Sequence, residues 1–268
     1  MTAPSARKGR VRASIFAALI AFVAVLGGIA GPAAAAPGAS PVSKYVALGD
    51  SVAAGQGGGD YVDACLRSPA GYPELLNAEP KVSLLRNAAC TGATITDVAT
   101  SQIAQTNRGT TLVTLTVGAN GVNLPALYAA CVSGTTPAAC NDAVQDASEY
   151  LNSGQIPAQL GKLLAMVGSR SPNATIVVTG YPVPFAEEYS PLTDNVNQLV
   201  DILNTQLGLT ALTAGAKVKW APVEFGAHRI GGTEPVWLGA DPTDQLTFLH
   251  PNPAGYVAYR DAILTVLP

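Results

Sequence analysis

The sequence is poor in charge and in histidine. Charged residues make up 12% of the 268 positions, about half the usual share, and the formal net charge is -3. This weakly acidic balance gives no support for binding to nucleic acid or to an anionic membrane surface. With two histidines and no Cys-x-x-Cys spacing, a zinc site is also disfavoured.

The only long apolar run lies at the N-terminus. Residues 13–31 are uncharged, a small-residue segment at 32–40 follows them, and a basic group precedes them: Arg7, Lys8, Arg10 and Arg12. This order predicts a secretory signal peptide over residues 1–36, with cleavage between Ala35 and Ala39. A membrane anchor is the rival, since the run is nearly long enough to span. The adjacent alanine-rich site favours cleavage, and so an extracellular protein without a stable membrane anchor.

The cysteines suit an exported chain. All four lie after the leader, and an even number in such a chain favours disulfides over free thiols. Cys131 and Cys140 enclose a short segment with glycine and proline, which eases a turn. Pairing them leaves a Cys65–Cys90 disulfide, which would tie the loop after Ser51 to the loop around Gly92.

Apolar runs alternate with helical patterns through residues 37–268, which we predict to form a single domain. Five runs predict strands, at 44–50, 81–89, 111–120, 174–185 and 216–224. Five patterns predict helices, at 96–106, 141–152, 156–168, 194–214 and 252–266. This alternation is typical of a mainly parallel sheet with helices on both faces, a three-layer α/β/α sandwich.

Small and polar residues follow three of the predicted strands. They are Gly49-Asp50-Ser51, the segment 89–92 and Gly118-Ala119-Asn120. Functional groups collect at the carboxyl ends of parallel strands, so these segments are expected at one edge. Any one of them alone is ordinary turn chemistry.

In this arrangement the sequence resembles the SGNH hydrolases, also called the GDSL esterase/lipase family. The resembling blocks are Gly49-Asp50-Ser51-Val52, Gly92 in "NAACTGAT", Gly118-Ala119-Asn120-Gly121 and Thr247-Phe248-Leu249-His250 followed by "PNPAGY". The resemblance implies a flavodoxin-like fold with a five-stranded sheet. It also implies hydrolysis of a carboxylic ester through an acyl-enzyme, with no metal or cofactor.

The residues support these roles. Ser51 is the expected nucleophile, and a serine hydroxyl needs a base. His250 is favoured over His228, since Pro251 stiffens its turn and a helix follows. The resemblance assigns the oxyanion hole to the N–H groups of Ser51 and Gly92 and the Asn120 amide. Asp50 is expected to brace the loop.

Two positions depart from the family pattern. The aspartate three residues before the histidine is Thr247 here, so another group must accept the Nδ1 proton of His250. The backbone carbonyl of Thr247 is the first candidate, as in the Ser-His dyads of some secreted relatives, and Asp244 and Asp241 are rivals. If no carboxylate pairs with His250, activity should rise with pH through a single limb between about pH 6 and 7.5. The second departure, Gly121 for aspartate, is expected to loosen Asn120.

Several activities remain open on this sequence. A lipid or short-chain acyl ester is the favoured substrate. The protein is expected to be a monomer. A carbohydrate acetyl esterase, an acyltransferase on the same site and an inactive binding module are the alternatives. The segment 122–131 suits an acyl-binding groove and a helix packed on the core equally well.

Overall fold

A computed structural model describes residues 41–132 and 136–267; the predicted signal peptide lies outside them. The described residues form one five-stranded parallel sheet with the order β2-β1-β3-β4-β5. Its strands are β1 Ser43–Gly49, β2 Val82–Asn87, β3 Leu112–Thr116, β4 Thr175–Thr179 and β5 Val218–Ala221. The predicted α/β fold with a parallel five-stranded sheet is confirmed.

Helices connect successive strands and cover the sheet. They are α1 Ser51–Ala54, α2 Tyr72–Asn77, α3 Ile95–Asp97, α4 Leu124–Cys131, α5 Pro137–Asn152, α6 Gln155–Arg170, α7 Pro191–Thr213 and α8 Pro253–Val266. Helix α2 packs against α8, whereas α6 packs against α3 and α7. With right-handed crossovers these two groups fall on opposite faces of the sheet, as a three-layer sandwich requires. Among the described helices, none is both long and apolar enough to cross a bilayer.

The central position of β1 and β3 in the sheet accounts for the composition of these strands. All five residues of β3 are buried, as is the segment from Tyr45 to Gly49 of β1, because both strands have neighbours on each side and helices on each face. The edge strand β2 is more exposed. Burial of these largely apolar strands places the core on both sides of the sheet.

The helix predicted at 96–106 is composite. Helix α3 passes into a π-helical turn at Val98–Gln102 and then a 3₁₀ turn at Ile103–Gln105. The hydroxyls of Thr100 and Ser101 donate to the carbonyls of Thr96 and Asp97, which disturbs a regular α-helical ladder.

The strand order determines which loops meet. Strands β1, β3 and β4 are adjacent and parallel, so their carboxyl ends lie side by side. The predicted third strand ends early, at Thr116, and residues 117–123 leave the sheet as a loop. The segments that follow β1, β3 and β4 therefore share one edge.

Candidate active site

The turn that presents Ser51 depends on Gly49. This residue has a φ of +139°, and a Cβ added to it would lie 2.0 Å from the carbonyl oxygen of Thr116. Only glycine allows β1 to approach β3 so closely here. The chain then turns at Asp50, the N-cap of α1, whose Oδ1 accepts the N–H of Val52 at 3.0 Å. Ser51 therefore begins α1 directly beyond the strand.

His250 lies against this serine. Its Nε2 is 2.9 Å from Ser51 Oγ, and its Nδ1 is 3.1 Å from the carbonyl oxygen of Phe248. A carbonyl can only accept, so this contact requires the proton on Nδ1. The unprotonated Nε2 then faces the Ser51 hydroxyl, which is the arrangement that a general base needs.

The orienting carbonyl is that of Phe248, and the expected carbonyl of Thr247 has another partner. Thr247 O accepts the backbone N–H of His250 at 2.9 Å and closes a β-turn. The third residue of this turn, Leu249, has a φ of +61°. This left-handed conformation turns the chain so that the imidazole meets the carbonyl two residues back. The sequence indicated that Thr247 replaces the family's aspartate, but it did not predict this turn.

Asp244 and Asp241 do not contact His250. Both are exposed, and each caps its own short turn: Asp244 accepts from the hydroxyl of Thr247 at 2.6 Å, and Asp241 accepts from that of Thr243 at 2.7 Å. These hydroxyl hydrogen bonds lower the pKa of both carboxyls. Within the described residues, neither aspartate is bonded to the imidazole.

Each of the three predicted oxyanion donors has a free N–H in the part of the chain that the structure describes. Within the described residues, the N–H groups of Ser51 and Gly92 make no hydrogen bond, so both are available to a ligand. The amide nitrogen of Asn120 donates one hydrogen to the carbonyl of Ala93 at 3.0 Å, which fixes its orientation and leaves the other hydrogen free. Gly92 itself has a φ of +76°.

Gly92 borders a different recess from Ser51, Asn120 and His250. Ser51, Asn120 and His250 line one cavity of about 460 Å³. Gly92 lines a neighbouring cleft of about 630 Å³, with Cys90 as another member of its wall. The hydrogen bond from Asn120 to Ala93 joins the two, so Gly92 lies beside the cavity rather than in its wall.

A buried tyrosine that the sequence analysis missed joins two of these loops. The hydroxyl of Tyr181 donates to Asp50 Oδ2 at 2.5 Å and accepts the N–H of Ala119 at 3.3 Å. Burial raises the pKa of Asp50 to about 7, although the Tyr181 and Val52 hydrogen bonds oppose that rise. The run predicted as the fourth strand, 174–185, leaves the sheet after Thr179, so Tyr181 follows β4 at the same sheet edge as Asp50 and Ala119.

The loop of Asn120 is fixed without the family's aspartate. A Cβ on Gly121 would lie 2.8 Å from the hydroxyl oxygen of Tyr150, so this tyrosine occupies the adjacent space. The backbone N–H of Gly121 donates to Gly118 at 3.1 Å, and Asn120 is held through Ala93. The expected loosening of Asn120 is therefore not seen.

The walls of the cavity are largely apolar. Leu124, Pro125, Tyr128 and Ala129 of α4 form one side, and Pro242, Phe248 and Leu249 form part of the other. Leu127 of the same helix is buried in the core. The segment 122–131, which suited both a groove and a core helix, thus does both: one face of α4 lines the cavity and another packs in the core.

Both expected disulfides are present in the structure. Cys65 is bonded to Cys90, and Cys131 to Cys140. The first holds the segment before Gly92 against the loop after α1, where Thr91 N–H also donates to Cys65 O at 3.2 Å. In the described part of the chain, no group of three His, Cys, Asp or Glu side chains could hold a metal ion.

The burial of His250 changes the pH dependence expected from the sequence. Desolvation lowers the pKa of this histidine to about 4, and the hydrogen bond to Phe248 opposes this only in part. A general base must be neutral, so His250 should be able to act as one down to about pH 5 and should lose that ability as the pH falls through about 4. The expected acid limb therefore moves below the range of about 6 to 7.5 that a solvated histidine predicts.

Nuclear magnetic resonance can measure this titration directly, because the chain has two histidines. The imidazole C–H signals are followed from pH 3 to 8, and His228→Gln identifies the signal of His250. We expect a midpoint at about 4 for His250. A midpoint above 6 would show that water reaches the ring and that burial does not control it.

Comparison with known proteins agrees with the fold and the motifs. The sequence profile of the GDSL-like lipase/acylhydrolase family matches residues 47–258. Lipase 1 of Streptomyces coelicolor is 30% identical over 241 residues, which cover 87% of this chain and 88% of that protein. A lipase of Streptomyces rimosus is 36% identical over 144 residues, 52% of this chain and 53% of that protein.

Solved structures give the same result. The crystal structure of an extracellular lipase from Streptomyces rimosus is 28% identical with a TM-score of 0.77, over 84% of this chain and 100% of that one. Phospholipase A1 from Streptomyces albidoflavus NA297 is 28% identical with a TM-score of 0.78, over the same shares of 84% and 100%. The chain therefore belongs to the GDSL-like lipase/acylhydrolase family, the SGNH hydrolases, and is a carboxylic ester hydrolase.

Proposed function

We propose that the protein is a secreted serine esterase that hydrolyses acyl lipid esters through an acyl-enzyme on Ser51. One observation carries this proposal: Ser51 Oγ lies 2.9 Å from His250 Nε2, in a cavity with apolar walls that also holds Asn120. Nucleophile, base and an amide donor thus meet where an acyl chain can be received.

The reaction follows from these positions. Ser51 Oγ attacks the ester carbonyl carbon while its proton passes to Nε2 of His250. The oxygen of the tetrahedral intermediate takes hydrogen bonds from the N–H groups of Ser51 and Gly92 and from the Asn120 amide. The C–O bond to the alcohol then breaks, and Nε2 returns the proton to the leaving oxygen.

Deacylation repeats these steps with water. His250 takes a proton from water, the hydroxide oxygen bonds to the acyl carbon, and the carboxylic acid leaves as Ser51 recovers its proton. The Phe248 carbonyl holds the Nδ1 proton throughout, so the imidazolium is stabilised by a dipole rather than a carboxylate. In such a dyad the backbone takes the place of the third catalytic side chain.

The apolar walls favour an acyl lipid over an acetylated sugar. A sugar needs hydrogen-bonding groups, whereas Leu124, Pro125 and Ala129 offer only carbon surface to a bound chain. Secretion is supported by the N-terminal leader pattern, by the two disulfides, and by the similarity to an extracellular lipase of Streptomyces rimosus.

A series of p-nitrophenyl esters from acetate to palmitate tests this proposal. We expect kcat/KM to rise from the acetate to the medium-chain esters. Ala129→Phe should fill part of the cavity and lower kcat/KM for the octanoate about 10-fold, the equivalent of roughly two methylene groups left in water. The acetate, which carries only a methyl group beyond its carbonyl, should be hydrolysed as before.

Ala126→Phe is the matched control. Ala126 is an exposed alanine of the same helix, and it is not part of the cavity wall. It should leave the whole series unchanged. Equal losses in the two variants, or a wild-type preference for acetate together with acetylated sugars, would contradict an acyl-lipid substrate.

A further inference from the structure

Gln56 occupies the loop that follows α1, and only 5% of it is exposed. Its Oε1 accepts the hydroxyl of Thr91 at 2.6 Å, and its Nε2 donates to the carbonyl of Leu246 at 3.0 Å. Its backbone N–H donates to Ser51 O at 3.0 Å, and its carbonyl accepts the hydroxyl of Tyr256 at 2.5 Å. One buried residue is therefore bonded to four separate parts of the active-site edge.

The two side-chain partners of Gln56 lie next to reacting groups. Thr91 directly precedes Gly92, one of the proposed oxyanion donors. Leu246 lies in the 240–250 loop, which ends at His250 and forms part of the cavity wall. A single amide thus spans from the oxyanion side of the site to the base side.

The 240–250 loop has few other polar attachments. Among the described residues, its hydrogen bonds to the chain outside 235–252 are two: Gln56 to Leu246, and His250 to Ser51. The second is the contact of the reaction itself. Among the described residues outside 235–252, Gln56 is therefore the one side chain other than Ser51 that is hydrogen-bonded to this loop.

The chemistry of the amide makes this attachment specific. A glutamine both accepts and donates, so its oxygen suits the Thr91 hydroxyl and its nitrogen suits the Leu246 carbonyl. A flip of the amide would turn its oxygen toward the carbonyl oxygen of Leu246 and break that bond. No apolar residue of the same length, and no ionised glutamate, can satisfy both partners in this buried position.

We propose that Gln56 is a positioning residue that sets the placement of His250 relative to the Gly92 donor; this inference rests on the proposed function. A displacement of about 1 Å between reacting groups can cost about 10²-fold in rate. Loss of the Gln56 amide frees the 240–250 loop without removing a reacting atom. The consequence is a lower kcat rather than weaker substrate binding.

The test compares Gln56→Met with Gln206→Met in p-nitrophenyl butyrate hydrolysis. Gln206 is a half-buried glutamine of α7 whose Nε2 donates to Leu151 O at 2.9 Å, and it lies outside the cavity wall. Gln56→Met should lower kcat about 10²-fold while KM changes less than about threefold. Gln206→Met should lower the Tm without changing kcat.

A second readout is the acid limb of kcat/KM. If the loop loosens, water reaches the imidazole and the pKa of His250 rises toward its ordinary value. The acid limb of Gln56→Met should then lie at a higher pH than that of the wild type. A residue that only stabilised the fold would leave the limb of the folded fraction in place.

Thr91→Val keeps the test decisive if Gln56→Met does not fold. It preserves shape, removes one of the two side-chain bonds, and should lower kcat about 3- to 10-fold. Wild-type kcat in folded Gln56→Met, or in folded Thr91→Val where Gln56→Met does not fold, would overturn the proposal. Ser51→Ala in the same assay separates the two levels: activity in that variant refutes the proposed function, whereas its inactivity beside a fully active Gln56→Met refutes only the role of Gln56.

Discussion

Ser51→Ala is expected to lower kcat for p-nitrophenyl butyrate by about 10⁵-fold or more. The change removes the oxygen that forms the proposed acyl-enzyme, and in the described residues Ser51 carries the one hydroxyl hydrogen-bonded to Nε2 of His250. The fold should be unaffected, because Ser51 Oγ has His250 as its hydrogen-bond partner in the described structure. Stopped-flow and steady-state hydrolysis measure the loss, and thermal unfolding checks the fold.

A fluorophosphonate provides the matching positive result. It should modify wild-type protein once, with the added mass on the peptide that contains Ser51, and should leave Ser51→Ala unmodified. Residual activity above about 1% of the wild type in the alanine variant would contradict the assignment of the nucleophile. Labelling at another residue would identify the group that replaces it.

His250→Gln is expected to cost about 10⁵-fold in kcat, close to the loss in Ser51→Ala. Glutamine can still hydrogen-bond to Ser51 but cannot take its proton, so the hydroxyl remains a weak nucleophile. Because the two residues act as one unit, Ser51→Ala combined with His250→Gln should be no slower than either single variant. A further large loss in the double variant would show that they act independently.

The remaining histidine supplies a control for this experiment. His228 stacks on Trp237 with ring centroids 3.6 Å apart, and its Nδ1 is 2.8 Å from the carbonyl of Pro235. His228→Gln should therefore change stability but leave kcat within about twofold. A loss comparable with that of His250→Gln would mean that the wrong histidine has been assigned as the base.

The two aspartates test the dyad itself. Asp244→Asn and Asp241→Asn should change kcat by less than about 10-fold, since each carboxylate only stabilises its own turn. Loss of a true triad carboxylate is far larger, on the order of 10⁴-fold. A loss of that size in either variant would show that its carboxylate, and not the Phe248 carbonyl, is the partner of His250.

Much of this protein could be predicted from residues close together in the sequence. The buried runs determine β1 and β3, because a strand with neighbours on both sides and helices on both faces must be largely apolar, and the two buried threonines of β3 are hydrogen-bonded to tyrosine hydroxyls. Alternation of such runs with helical patterns leads to a parallel sheet, and parallel strands bring their carboxyl ends to one edge. Ser51 and Asn120 could therefore be expected at this edge before any distance was known, whereas His250 and the roles of all three came from the resemblance to the SGNH hydrolases.

The groups that only the tertiary structure identified belong to backbone geometry and long-range contacts. The Phe248 carbonyl meets His250 because Leu249 adopts a left-handed φ, which neighbouring residue types do not predict. Tyr181 meets Asp50 across 131 positions of sequence. No local pattern encodes a hydrogen bond between residues so far apart.

The electrostatic environment of the base also depended on packing. The sequence supplied a histidine with an ordinary pKa, and burial in the assembled cavity lowers that pKa to about 4. Desolvation depends on which side chains from distant segments exclude water, and so it is a property of the folded molecule. The sequence alone determined which groups could react; the tertiary structure decided how they are oriented, how far they are from water, and which carbonyl holds the imidazole.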